Sequence, residues 1–330
     1  MTVGLLDGAG LSTLAGVFVV LIVATVVAVI LQRALSGEKH AALIDNLKAR
    51  VFAWWPMTLI MGGVLALGEG VTIVLFVALS VFALREFIKA APDLPHSRWS
   101  MIWLFLVILP IHYLAIWQHW YGFYAIFIPV YAFLFLPTRN ALTGRTDAFL
   151  RHTATTQWAL MVSVYCLSYA PALLQLPYAM EHGRQAAEGS PLGSGGPEGA
   201  NLLIFLVLVV QGSDVLQYIW GKTLGRHHIA PTVSPNKTVE GFVGGVLSAT
   251  ALGAGLWWLT PFTWWQAGIL ALVSCLLGFA GGLVMSAIKR DAGIKDFGAI
   301  IPGHGGIMDR LDSLCFAAPV LFHLIRFFFT

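Results

Sequence analysis

Charged residues are scarce in this chain, 11% of 330, so the placement of each acid is informative. Asp214 follows Gly212-Ser213 in an apolar run and lies 7 residues before Gly221. At 1.5 Å per helical residue, that is about 10 Å inside a helix end. An ionised carboxylate there needs a cation. Asp309 and Asp312 open the last apolar run with Arg310 between them. They are spaced i, i+3 and share a helix face. The helix dipole and Arg310 would account for one of them. Two on one face, together with Asp214 and Asp296, call for more. Hard oxygen donors of this kind suit Mg²⁺, which takes one or two carboxylates plus waters and phosphate oxygens. One or two divalent ions are expected, with a monovalent ion as a further option.

The segments around these acids suit phosphate. Ser286–Ser313 reads SAIKRDAGIKDFGAIIPGHGGIMDRLDS. Lys289, Arg290 and Lys295 supply positive charge. Gly303, Gly305 and Gly306 allow close backbone approach and run into a helix N-terminus, whose free N–H groups favour anions. The preceding basic connection, Gly221–Gly241, adds Lys222, Arg226, Lys237, Ser234 and Thr238. Basic clusters alone could be lipid-headgroup anchors. The order K-R-x4-K-D-x-G-x4-G-H-G-G-x2-D-R-x-D is too specific for that and describes a nucleotide or polyphosphate site.

The elements that must hold these residues are membrane helices. Hydrophobic residues make up 58% of the chain and its mean hydropathy is +0.80, whereas soluble domains carry about 25% charged residues. A soluble globule, a disordered chain and a disulfide scaffold are excluded. Gly8–Gln32, Trp99–Thr138, His152–Met180 and Gly241–Ile288 contain no Asp, Glu, Lys or Arg for 25, 40, 29 and 48 residues. Each crossing needs about 20 apolar residues. The two longest runs therefore hold two helices each, broken near Gln118–Gly122 and at Thr260-Pro261-Phe262-Thr263. The expected fold is an all-α polytopic bundle of about ten spans, nine being the alternative, with no soluble domain. The spans start near residues 9, 51, 69, 99, 121, 155, 199, 240, 263 and 307. Val51–Leu84 is either two short helices meeting at Gly68-Glu69-Gly70 or one helix with a re-entrant piece. The first span lacks a basic n-region and exceeds the length of a signal-peptide core, so it is expected to stay in place. Cys166, Cys275 and Cys315 lie in apolar spans and read as small buried hydrophobes.

Sixteen of the 19 basic residues fall in the odd-numbered connections and one, Arg184, in an even-numbered one. This bias places the odd connections in the cytoplasm and both termini outside. Glu181–Gly199, acidic and rich in Gly, Ser and Pro, reads as a flexible outer loop. It separates an N-terminal region, 1–200, from a C-terminal catalytic region, 201–330. His112 and His119, beside Trp117 and Trp120, are expected at the outer membrane interface.

Ser286 to Asp312 resembles the signature of the phosphatidate cytidylyltransferase (CDP-diacylglycerol synthase) family. Ser286, Lys289, Arg290, Lys295, Asp296, Gly298, Pro302, His304, Gly305, Gly306, Asp309, Arg310 and Asp312 match its fixed positions. A second block, from Ser213-Asp214 through Ser234-Pro235-Asn236-Lys237-Thr238-Val239-Glu240-Gly241, is similar to the family's other conserved stretch. Gln217, Asn236 and Val239 depart from it, where alanine, lysine and tryptophan are common, which suggests a divergent branch.

The resemblance implies transfer of a cytidylyl group from CTP to phosphatidate, giving CDP-diacylglycerol and pyrophosphate for phospholipid synthesis. It implies Asp214, Asp296, Asp309 and Asp312 around Mg²⁺. Lys289, Arg290, Lys295 and Arg310 would then hold the triphosphate and the lipid phosphate. His304, Ser213, Lys237, Gly305 and Gly306 are further catalytic or nucleotide-binding candidates. The expected partners are CTP, a lipid phosphate, the membrane and a second copy in a homodimer; no nucleic acid is expected. The expected location is the plasma (inner) membrane, with the site on its cytoplasmic face. The alternatives are a related enzyme with another lipid acceptor, polyprenol kinase-like, and an ion-coupled transporter.

Overall fold

The computed structural model describes residues 4–34, 38–91, 98–144, 146–176, 180–181, 184–185, 197–300 and 305–330. Among the described residues, ten helices carry the fold. They are α1 (Gly8–Ala34), α2 (Glu38–Leu67) and α3 (Glu69–Ala90), then α4 (Ser100–Trp117), α5 (Tyr121–Leu142) and α6 (Phe149–Gln175). The C-terminal set is α7 (Pro197–Leu224), α8 (Val239–Gly255), α9 (Trp264–Asp291) and α10 (Met308–Phe329). Eight of them are long and apolar enough to cross a membrane; α8 and the Val51–Leu67 part of α2 are shorter apolar helices. The chain is a polytopic helical membrane protein. Helices are the solution because each satisfies its own backbone N–H and C=O groups where no water can.

Two antiparallel strand pairs sit in connections. β1 (Met180–Glu181) pairs with β2 (Arg184–Gln185), and β3 (His228–Ala230) with β4 (Ser234–Thr238). Residues 182–183 and 186–196 of the 181–199 connection lie outside the described residues.

The breaks fall where the sequence places them. α4 ends at Trp117 and α5 starts at Tyr121. Between α8 and α9, a short turn at Trp257–Leu259 leads to Thr263, which forms a capping box with Gln266. Of the two readings of Val51–Leu84, the structure has the pair of helices: α2 runs unbroken to Leu67, and Gly68, at φ 116°, turns the chain into α3. That φ favours glycine. α2 also begins well before Val51, because Glu38–Arg50 is rich in helix formers. α4, α5 and α6 each widen into a π-helical stretch near Pro110, Pro129 and Pro171, where a proline removes a backbone donor.

Contacts between helix ends sort by parity. At one end, Asn201 donates to Asp7 (3.0 Å), Gln175 to Glu69 (2.7 Å), and Tyr121 stacks on Phe322. At the other, Lys48 donates to Gln32 (2.8 Å), Arg139 to Ser100 (3.4 Å), and Lys289 to Asp309 (2.8 Å). The helices thus alternate up and down, and the basic connections share one end.

The core runs through α3, α4, α6, α7, α9 and α10, with Phe76, Tyr169, Phe205 and Phe322 fully buried. His112 belongs to this core, not to the interface. It is completely buried, bonded through Nε2 to the Ser168 hydroxyl (2.8 Å), and packed among Tyr124, Phe127 and Tyr165. The hydroxyl satisfies Nε2, while among the described residues the buried Nδ1 has no hydrogen-bond partner.

Candidate active site

The site forms at the basic end, where α7, α9 and α10 meet the β3–β4 hairpin. Small residues on α9 let α10 come close. A Cβ built at Gly281 would lie 2.6 Å from the Asp312 carbonyl oxygen and 3.0 Å from Phe316 Cβ, too close to fit without a shift. Ser313 is buried and its hydroxyl donates to Asp214 Oδ2 on α7 at 2.8 Å. The same oxygen lies 3.3 Å from Asp312 Oδ1, which also accepts the Ser313 N–H at 2.7 Å. One hydroxyl therefore joins two carboxylates from different helices.

Besides Lys289, whose charge also acts on Asp312, two cations face this pair. Lys237, from β4, places Nζ 4.4 Å from the centre of the Phe279 ring, near enough to Gly282 that a Cβ there would be 3.0 Å away. Burial pushes the Lys237 ammonium pKa down, and the charges of Asp214 and Asp312 pull it back. Arg310 is the second cation, and among the described residues its buried Nε has no hydrogen-bond partner. An unsatisfied buried guanidinium N–H is costly and suits an incoming anion.

Asp309 has a different role from the one its spacing suggests. It is buried; Oδ1 accepts Lys289 Nζ at 2.8 Å, and Oδ2 accepts the N–H groups of Phe297 and Gly306, both at 2.9 Å. Gly305 turns the chain with φ 80°, and a Cβ there would press on the same carboxylate. Asp309 thereby fastens the α9–α10 connection to α10, and the Phe297 ring stacks on Phe87 of α3.

The other expected site residues are more dispersed. Arg290 is exposed and donates to the carbonyls of Val233 and Ile294, both at 3.3 Å, tying the hairpin turn to α9. Lys295 and Asp296 are exposed on the connection. Ser213 is buried and accepts from Gln217 Nε2 at 2.9 Å. Gln217, an atypical residue, fits because Gly245 of α8 leaves room for it. His304, Pro302 and Gly303 lie outside the described residues. Among the described residues, no three His, Cys, Asp or Glu side chains converge as a metal-ligand set. The convergent oxygens are those of Asp214, Asp312 and Ser313. This is a hard donor set that fits Mg²⁺ once phosphate oxygens and waters complete it.

Residues 48–328 match the model of the cytidylyltransferase family. The chain belongs to the cytidylyltransferase family. It is a membrane nucleotidyltransferase. It is 35% identical over 318 residues to the uncharacterized protein YnbB of Escherichia coli (strain K12), spanning 96% of this chain and 98% of YnbB. It is 42% identical over 126 residues to the phosphatidate cytidylyltransferase of Staphylococcus saprophyticus, 38% of this chain and 48% of that enzyme. The match to the enzyme of Staphylococcus aureus (strain COL) is 40% over 127 residues, 38% of this chain and again 48% of the enzyme. The chain thus matches about half the length of these two enzymes.

Two residues of this cytidylyltransferase's site went unmarked in the sequence reading. Ser313 follows Asp312 directly, and only the crossing of α7 and α10 gives it a second carboxylate. Glu86, at the end of α3, is buried and accepts the N–H groups of Ile307 and Met308 at 3.1 and 2.8 Å. Its partners are 221 and 222 residues away, so no local spacing reveals it.

Proposed function

We propose that this cytidylyltransferase joins CTP and phosphatidate to give CDP-diacylglycerol and pyrophosphate. The Asp214–Ser313–Asp312 bridge beside Lys237 and the buried Arg310 Nε is the observation that carries this reading. The likeness to phosphatidate cytidylyltransferases supports the choice of acceptor. We place the site on the cytoplasmic face of the plasma membrane, because the basic connections gather at its end of the bundle.

A phosphatidate oxygen attacks the α-phosphorus of CTP. The bond from that phosphorus to the β-phosphate oxygen breaks, and pyrophosphate leaves with the electron pair. The phosphomonoester's second pKa is near 6, so the nucleophile is already ionised and needs no strong base. Catalysis then consists of alignment and charge neutralisation. Lys237 and Arg310 hold phosphate oxygens. Ser313 keeps the two carboxylates oriented, and Lys289 and Asp309 keep the connection in place beneath them. Asp214 and Asp312 would hold Mg²⁺, which when bound would supply charge neutralisation for the polyphosphate. Arg290, Lys295 and Asp296 stand around the approach to the site, and His304 stays a candidate from the motif alone. Residues 201–330 form the catalytic part, with 1–200 supporting it, and the acyl chains enter from the bilayer beside α7 or α10.

The test is to incubate full-length protein in lipid nanodiscs with phosphatidate and either α-labelled CTP or γ-labelled ATP, with and without Mg²⁺. The expected result is α-label in a liponucleotide with CTP and Mg²⁺ only. Transfer of γ-label to lipid would indicate a kinase-like enzyme. No product with either nucleotide would refute the reading.

A further inference from the structure

The first turn of a helix is a ready anion site, which makes the start of α10 a candidate for a nucleotide phosphate. In this protein it is already filled from within. Glu86 accepts both the Ile307 and Met308 amides, while the neighbouring Gly306 amide is taken by Asp309. Glu86 is 5% exposed and comes from α3, in the half of the chain outside the signature. Two signature glycines make room for it. A Cβ at either Gly298 or Gly306 would collide with the Glu86 carboxylate. These glycines therefore leave space for an internal carboxylate rather than for a substrate.

We propose that Glu86 is a positioning residue for transfer, a built-in anion that fixes the start of α10 and so sets where Arg310 and Asp312 stand. One turn beyond the Glu86-bonded amides come Arg310 and then Asp312, so a shift at the cap moves both relative to Asp214 and Lys237. The nucleotide phosphates are then held on the Lys237 and Arg310 side of the site and not on the α10 amides. This deepens the cytidylyltransferase reading and depends on the same site.

The test uses full-length protein in nanodiscs and reads pyrophosphate release from CTP with a mixture of lipid phosphates as acceptors. A wild type that works with the mixture but not with pure phosphatidate counts against the acceptor assignment alone. Glu86→Gln keeps the shape and removes the charge. Its kcat should fall about 10- to 100-fold, the scale of a hydrogen bond to a charged group, with KM for CTP nearly unchanged. Hydrogen exchange at the Ile307 and Met308 amides should accelerate. Gly306→Ala should impair the enzyme alone but add little in a Glu86→Ala background, where the new methyl has room. If Glu86→Gln does not yield folded protein, Gly298→Ala, which displaces the carboxylate without removing it, should show the same kcat loss. Lower thermal stability with unchanged kcat would reduce Glu86 to a structural cap. A lower KM for CTP would show that the amides are the phosphate site and Glu86 a placeholder. Either result overturns the proposal.

Discussion

The Ser313 hydroxyl on α10 donates to Asp214 on α7 at 2.8 Å while lying 3.3 Å from Asp312. A single small side chain therefore fixes the separation of two carboxylates that would otherwise repel. Ser313→Ala keeps the packing and removes that link. Transfer should drop about 10-fold or more, since hydrogen bonds to charged groups contribute about 1.5–3 kcal/mol. The Mg²⁺ concentration for half-maximal rate should rise. An unchanged Mg²⁺ dependence in steady-state assays would argue against the pair as the ion's ligands.

Asp309 and Asp312 should respond differently to the same chemical change. Asp309→Asn breaks a buried pair and leaves the Lys289 ammonium uncompensated. Such losses cost about 3–5 kcal/mol. The thermal midpoint in detergent should fall clearly, and Lys289→Met in the same chain should restore part of it. A midpoint equal to wild type in Asp309→Asn would contradict the structural role assigned here.

Lys237 contributes charge to the site from a half-buried position. Burial lowers its pKa, so it loses its proton at a lower pH than an exposed lysine would. Transfer should therefore decline on the alkaline side before ordinary lysines titrate. Lys237→Arg, which stays charged, should be slower yet lack that decline. A pH–rate profile with the same alkaline limb in both proteins would remove Lys237 from the phosphate site.

The basic end of the bundle should face the cytoplasm. In a cysteine-free background, a cysteine at position 145 should react only from the cytoplasmic side and one at position 190 only from outside. The reverse labelling would invert the topology.

Most of the architecture was legible in the sequence because membrane helices announce themselves by length. The breaks at Gln118–Gly122 and Thr260–Thr263, and the alternation of the basic connections, reappear as helix ends and shared faces of the bundle. Asp214 was legible because a carboxylate inside an apolar run has few explanations. The division of labour between Asp309 and Asp312 was not. Their i, i+3 spacing predicts one shared face, but at a helix start the amides of the incoming loop compete for the first carboxylate. The Phe297 and Gly306 amides and Lys289 take Asp309, which leaves Asp312 to Ser313. Glu86 was hidden for a related reason. At the end of a span beside Arg85 and Lys89 it looks like an interfacial charge, and only the packing of α3 against α10 gives it partners. His112 shows the converse, since the tryptophans near it suggested an interface while Ser168, 56 residues away, completes a buried site.

The central claim is that the Asp214–Asp312 pair serves cytidylyl transfer. It is tested most directly by measuring transfer of α-label from CTP to phosphatidate by Asp312→Asn in nanodiscs across a Mg²⁺ titration. Asparagine preserves size and can still accept the Ser313 N–H, so the fold and thermal midpoint should stay close to wild type. The account predicts a rate lowered by several kcal/mol of lost charge stabilisation, about 1000-fold, with any residual activity shifted to higher Mg²⁺. A folded Asp312→Asn protein that transfers the label at the wild-type rate at limiting Mg²⁺ would contradict it.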